Sequence, residues 1–512
     1  MSRATAAPEP VAGNSTRTIS HAIDNQCDFQ SDTSGIPDSR IVRAAFHDQR
    51  QFFEIDDMTG SSADQPWQPY QHTAAAEEPS ETGEQCETTA VRKVFWRLIP
   101  FMFLLFVLNI LDRVNIGFAR LQMLQDLRMS EEVFGAAAGI FFIGYFFFQV
   151  PSNLILNRIG ARRWIAGIVV AWGLISAAMM FVQTERSFYV LRFLLGLAQA
   201  GFFPGMILYL TYWIPARERA RATASFMTAS AFSGIVGSPL SGALMQYLDN
   251  AAGLAGWQWM FLLEGLPTIA LGCLVPFWMT DRPELAGWLT ERERTSLSER
   301  MQREQRQRAE DHGFSLFTAV LNPRVWLLCF LYFALAMGAN TFAFYLPQLV
   351  KDRFAGVGPF GVGLRVAIPY TLSMAAMVIS SAHSDRTGER RWHVAFPALV
   401  AASAWSLSCV CESPWLNLSL LSVAAAAVYC TFGPFWTLPN SFLSGTAAAG
   451  GIGLINAVGN LGGYLGPKVF SGVKESTGSF SGGLLALAGA MFIGGVLAIC
   501  VRHDRAWEKD RS

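Results

Sequence analysis

Charge is scarce in this sequence. Of its 512 residues only 15% are Asp, Glu, Lys or Arg, against 52% hydrophobic, and the mean hydropathy is +0.29. Such a balance excludes a string of water-soluble domains and marks an integral membrane protein. Acids and bases number 39 each, so the net charge of zero points neither to nucleic acid nor to an acidic partner. What carries information is where the bases fall. The eight cysteines show no CxxC or His-linked metal spacing and lie mostly within apolar segments, where they read as small packing residues. No GxxxxGK[ST] loop and no nucleophile–base arrangement is present. An ATP-driven pump and a membrane enzyme are therefore disfavoured, and neither metal nor cofactor is expected.

Long apolar runs are abundant. Runs of about 20 residues, enough for a hydrocarbon core of roughly 30 Å, lie near 96–118, 133–156, 162–182, 187–211, 222–247 and 258–280. Six more follow near 322–350, 360–384, 393–411, 415–438, 450–473 and 481–501. The expected fold is thus an all-α integral membrane protein with twelve transmembrane helices in two six-helix halves, 91–280 and 322–502. A charged stretch at 281–321 separates the halves and reads as a cytoplasmic loop, partly helical. Residues 503–512 form a tail. Residues 1–90, polar and without apolar period, are expected to be a disordered cytoplasmic extension; a start at Met58, leaving 1–57 untranslated, is the alternative.

Bases cluster on the even-numbered connections, as at Arg158, Arg162 and Arg163, or Arg386, Arg390 and Arg391. Both termini are then cytoplasmic. The stretch NRIGARRW after the second span and DRTGERRW after the eighth agree at five of eight positions. A repeat at equivalent points of two halves predicts a central site near the bilayer midplane, exposed alternately by rocking. Arg158, Gly160, Arg162 and Arg163, with Asp385, Arg386, Gly388 and Arg390, are the gating or structural candidates of these turns. SGIVGSPLSG in the fifth span, with Gly237 and Pro239, and GNLGGYLGP in the eleventh permit close packing and bending, so both read as gating elements.

The first span carries Asp112 and Arg113 inside an apolar run that Val114, Ile116 and Phe118 continue. An intramembrane charge costs about 2.5–3.5 kcal/mol on insertion scales and by default marks an ion or substrate path. A position among lipid headgroups at the end of the span is the alternative.

LDRVNIGFA, GYFFFQVPSN, LRFLLGLAQAGFFPG, GWQWMFLLEGLP and SDRTGERRWHVAFPAL resemble the anion:cation symporter family of the major facilitator superfamily, particularly its bacterial tartrate, phthalate and 4-hydroxyphenylacetate permeases. The resemblance runs from about Val91 to Arg505. It implies a transporter of small organic carboxylates, many carried with a proton. A fixed cation suits the carboxylate, and Arg113 offers two parallel hydrogen bonds. Asp112 is the candidate proton carrier. Neighbours on a helix diverge by about 100°, so both can border one cavity. Tyr145 matches a family tyrosine implicated in substrate binding; a packing role is its alternative. Arg192 reads as a second anion contact, an entrance charge or a headgroup contact. Gln199 stands where many members have a glutamate implicated in proton coupling, and Gln149 where bacterial relatives commonly have Glu; neither glutamine can ionise. Sodium coupling or uncoupled diffusion therefore stays open. Asn340, Tyr345, Trp436 and Asn440 are candidates for the polar and aromatic wall of the cavity, and Glu264 reads as structural.

The sequence thus predicts a secondary transporter importing a small organic carboxylate by alternating access. The partners implied are that anion, a proton or sodium ion and the lipid bilayer, with no nucleic acid, and a monomer. A metabolite sensor on the same fold is the alternative, which a large folded appendage would favour.

Overall fold

The computed structural model describes residues 81–310, 321–439 and 445–501. Helix α1 (Glu81–Val114) starts ten residues ahead of the expected boundary at 91, so 81–90 are helical and continuous with the helix of the first span. The extension's residues 1–80, residues 311–320 of the central loop, the 503–512 tail and Asn440 lie outside the described residues.

Apolar length and caps set the helices that follow. After a break at Asn115, α2 (Ile116–Asp126) prolongs α1. Ser130, which accepts from the Val133 amide at 3.2 Å, opens α3 (Glu131–Ile159). Gly160, with φ 89°, ends α3 and lets α4 (Ala161–Ala178) start at once. Next come α5 (Glu185–Gln199), α6 (Phe202–Trp213), α7 (Ala216–Met227), α8 (Ala229–Tyr247) and α9 (Gly256–Trp278). The charged linker forms α10 (Glu291–Glu310), tied to α1 by a 2.7 Å Lys93–Glu293 ion pair and to α7 by Arg300–Glu218 at 3.3 Å. The second half consists of α11 (Pro323–Arg353), α12 (Pro359–Thr387), α13 (Arg391–Val410), α14 (Pro414–Thr437), α15 (Gly445–Thr477) and α16 (Phe480–Cys500).

Ten helical stretches among the described residues are long and apolar enough to cross a membrane. Helices α8 and α15 occupy the other two of the twelve expected positions. Both are rich in Gly and Ser, which lowers hydropathy and allows close packing. Outward faces carry large apolar groups, with Phe147, Phe277 and Val410 exposed, whereas Asn109, Asp112, Arg192 and Glu264 are buried. A polar interior beneath an apolar exterior is the arrangement a bilayer imposes.

The halves meet along α3 with α15, α8 with α12, and α2 with α11. Glycines allow the contact of α8 with α12. A Cβ at Gly363 would lie 2.9 Å from the Ser238 carbonyl carbon and 3.0 Å from Pro239 Cα, and one at Gly242 would lie 3.0 Å from Phe360 Cα. At the end of the bundle remote from α10, polar contacts join the halves. Glu131 of α3 is shared by Arg120 of α2 and Lys474 of α15. Lys351 Nζ donates to the Leu121 carbonyl at 3.2 Å, and Gln246 accepts from the Phe360 amide at 3.0 Å.

Candidate functional site

Between the halves lies a cavity of about 160 Å³. It is smaller than the roughly 300–1,000 Å³ of drug-sized ligand sites, so it suits a compact molecule. The first half supplies Arg113, Tyr145, Ser230 and Ser233; the second supplies tyrosines 332, 370 and 429, asparagines 340, 456 and 460, and Trp436. Among these described lining residues Arg113 alone carries a charge. A larger hollow of about 330 Å³ beside α10, bordered by Tyr212, Arg282 and Glu304, lies away from the interface and holds none of the intramembrane charges.

Arg113 reaches the cavity from the last turn of α1. Its Nη2 donates to Asn109 Oδ1 at 3.3 Å, one turn back, and its Nε to Gln199 Oε1 at 3.4 Å. The guanidinium lies over Phe141 and Tyr145, 5.1 and 5.3 Å from the ring centroids. These neutral partners hold the fork in place without cancelling its charge, and two bonds leave other N–H groups for an incoming anion. The weak attraction of a ring face for a cation acts in the same sense.

Asp112 turns the other way. Its carboxylate accepts from Ser176 Oγ at 2.6 Å and Thr268 Oγ1 at 2.9 Å, buried between α4 and α9. The expectation that Asp112 and Arg113 border one cavity is therefore corrected. The divergence of successive side chains is large enough here to place a helix wall between them.

Arg192 is neither at an entrance nor among headgroups. It is fully buried, with Nε donating to the Ala137 carbonyl at 3.4 Å and Nη1 to the Arg113 carbonyl at 3.5 Å. Its guanidinium shares Phe141 with Arg113, at 5.1 Å, and its Nη2 has no partner. Gln199 is also buried outside the cavity lining, bonding Arg113 and donating to the Asn109 carbonyl at 3.2 Å. Both residues support Arg113 rather than face the cavity. Tyr145, Asn340 and Trp436 do line it, and Trp436 meets Tyr332 edge-on at 4.8 Å. Tyr345 instead packs on Phe470 at 4.1 Å, outside the lining.

The repeated turns lie at the α10 end. Arg158 and Arg163 are exposed. Gly160 adopts a positive φ, and the Arg162 amide donates to Asp281 Oδ1 at 2.8 Å, so an acid just beyond α9 serves the N-terminus of α4. In the second half Gly388 has φ 64° and Arg390 pairs with Asp385 at 2.5 Å, beside exposed Arg386. Gly237 is buried against Leu111 of α1, two residues before Pro239 of the α8–α12 contact.

Sequence reasoning missed Asp281, because its partner is a backbone amide. It also missed the three tyrosines and the asparagines 456 and 460. For the last pair a signal existed: two amides four apart in an apolar span share one face, and intramembrane polar groups tend to face a bundle interior.

The sequence profile of the Major Facilitator Superfamily matches residues 102–467. The chain is 48% identical over 418 residues, 82% of its length and 92% of the other's, to a protein of Agrobacterium vitis to which tartrate transport is ascribed by name. It is 38% identical over 81% of its length, and 96% of the relative's, to the inner membrane transport protein RhmT of Escherichia coli. A solved D-xylose–proton symporter superposes with a TM-score of 0.65, covering 80% of this chain and 99% of that one at 16% identity.

Proposed function

The chain belongs to the major facilitator superfamily, and we propose that it imports a small organic carboxylate together with protons, by rocking its two halves about the central cavity. One observation carries this reading: among the described lining residues a single guanidinium faces a neutral opposite wall of phenols, amides and an indole. Arg113 takes the carboxylate through charge-assisted hydrogen bonds, and Tyr145 donates beside it. The hydroxyl and amide groups of the second half both donate and accept, so they suit a body rich in hydroxyls better than a bare aromatic ring. A tartrate-like hydroxy acid fits that chemistry, and the name ascribed to the A. vitis relative agrees with it.

Asp112 carries the proton in this scheme. It is buried without a cation and one residue from Arg113, so charge at one position is felt at the other. Both termini face the cytoplasm of an inner membrane, as the loop arginines direct. The turns at 157–164 and 385–392 then lie on the cytoplasmic side, and the Glu131–Lys474 contact on the outer side. Arg158, Arg162, Arg163, Arg386 and Arg390 act there as structural anchors of the rocking halves.

Uptake into proteoliposomes of radiolabelled tartrate, phthalate and 4-hydroxyphenylacetate, with and without an inward proton gradient, tests the proposal. Gradient-dependent accumulation of tartrate is the expected result. Equilibration without accumulation would remove the coupling, sodium dependence would reassign it, and saturable binding without transport would favour a sensor.

A further inference from the structure

Glu264 is the second carboxyl buried in the first half, and the scheme above gives it no task. It lies near the middle of α9, 1% exposed. Ser241 Oγ donates to Oε1 at 2.6 Å and Asn115 Nδ2 to Oε2 at 3.1 Å. Both donors are neutral, and an ionised carboxylate buried without a cation is costly. The charged groups nearby are engaged elsewhere or face away. From α1, Asp112 is linked through Thr268 Oγ1, which lies 2.9 Å from Asp112 Oδ2 and 3.3 Å from the Glu264 carbonyl oxygen. Arg113 points into the cavity. From α2, Arg120 is held by Glu131, and Asp126 accepts from the Trp257 indole. Helix α8 has no charged residue; α4 meets this turn with the backbone at Gly173 and Ala177, its arginines 162 and 163 lying in its first turn. The turn Met179–Phe181 is uncharged.

One further atom points to a change of protonation. Asn115 Oδ1 is buried and has no hydrogen-bond partner. As placed, the amide offers its NH₂ to a carboxylate. Turned by half a rotation it offers the unpartnered oxygen instead, which is what a carboxylic acid needs for its O–H. The same residue therefore serves both forms of Glu264, and Ser241 can donate to either.

We propose that Glu264 is a second proton-binding site of the transporter, read out by Asn115 at the α1–α2 break and by Ser241 beside the α8–α12 contact. The inference rests on the proton-coupled reading above. The step is the addition of one proton to one carboxylate, RCOO⁻ + H⁺ → RCOOH, with no other bond formed or broken. Binding reorients the Asn115 amide where α1 gives way to α2. It also weakens the charge-assisted bond from Ser241, three residues from the Ser238 carbonyl that Gly363 of the other half approaches. A proton here is thus felt both at the helix break and at the interface between the halves, away from the cavity. Asp112, satisfied by two hydroxyls that donate or accept, forms the first site; Thr268, which donates to its carboxylate, meets Glu264 only at the main-chain carbonyl one turn away.

Infrared difference spectra of the purified protein between acid and alkaline pH test the site without requiring transport. A protonated-carboxyl band present in the wild type and lost in Glu264→Gln, while Asp112→Asn loses a different band, is expected. Identical spectra for wild type and Glu264→Gln would overturn the proposal. In proteoliposomes loaded with a pH-sensitive dye, Glu264→Gln should keep tartrate–tartrate exchange and lose one of the protons that enter with each tartrate. An unchanged proton-to-tartrate ratio would overturn the coupling. If Glu264→Gln and Glu264→Asp both abolish exchange and neither changes the spectrum, Glu264 is a packing group. Failure of the wild type to move protons with tartrate would strike the proposed symport itself, and the infrared result would still decide whether Glu264 binds a proton.

Discussion

Arg113 and Asp112 are adjacent, yet they face different chemistry, and that separation defines the first half of the protein. Arg113 meets only neutral partners, at distances near the long end of hydrogen bonding, so its charge is available to a ligand. Lysine would keep the charge and lose the planar fork. We expect Arg113→Lys to lower the uptake efficiency for tartrate at least about tenfold, since hydrogen bonds to charged groups are each worth roughly 1.5–3 kcal/mol. Expression and the size-exclusion profile should be retained. Wild-type uptake kinetics in proteoliposomes would take Arg113 out of the site. At this scale the sequence was legible wherever charge is rare: an arginine inside an apolar run is conspicuous. It was not legible which way Asp112 turns, because helical geometry gives the angle between neighbours and not the identity of the helix each one meets. Nor did it separate Arg192 and Gln199, which brace Arg113 from behind, from residues that line the cavity.

Two kinds of contact decide how the elements behave. Asp281 supplies from outside the acceptor that Gly160, lacking a side chain, cannot offer to the start of α4. Replacing a helix-capping acceptor costs about 0.5–2 kcal/mol. Asp281→Ala should therefore lower the thermal unfolding midpoint in detergent, while tartrate binding to the folded protein stays intact; an unchanged midpoint would show the contact to be idle. The second contact is backbone on backbone. Gly363 admits the Ser238–Pro239 stretch with no room for a Cβ, and interiors packed to this density do not yield smoothly. Gly363→Leu should hold α8 and α12 apart and abolish uptake, with monodisperse protein still recovered. Uptake near the wild-type level would show that the helices do not need this approach. The positions of the spans were readable because hydrocarbon thickness demands about 20 apolar residues. The early start of α1 was not, since Glu81–Ala90 are polar in sequence and their helix is supported by α10, whose Arg300 pairs with Glu87.

Across the whole molecule, polar contacts among the described residues join the halves at the end remote from α10 beside the packing of α3 on α15, and such contacts suit a seal that must open in every cycle. Arg120, its side chain 1% exposed, stacks over Phe134 and Tyr345 and pairs with Glu131, so this acid is anchored within the first half. Lys474 brings the second half to the same carboxylate. Removing Lys474 leaves the Arg120–Glu131 pair whole and cuts one of the ties between the halves. Partly exposed ion pairs contribute about 0–1 kcal/mol, and 1–2 kcal/mol corresponds to a factor of roughly 5–30 in a two-state ratio. Lys474→Gln should thus raise the population open at this end by up to about fivefold. A cysteine placed in the cavity at Ala339 reads that shift through its rate of reaction with a membrane-impermeant maleimide added from the Glu131 side. Faster labelling is expected in Lys474→Gln than in the Lys474 background, and faster still with Glu131→Gln, which frees both cations. Equal rates in all three would mean that the apolar packing of α3 on α15 closes this end by itself, and that the ion cluster sets orientation without holding the halves together.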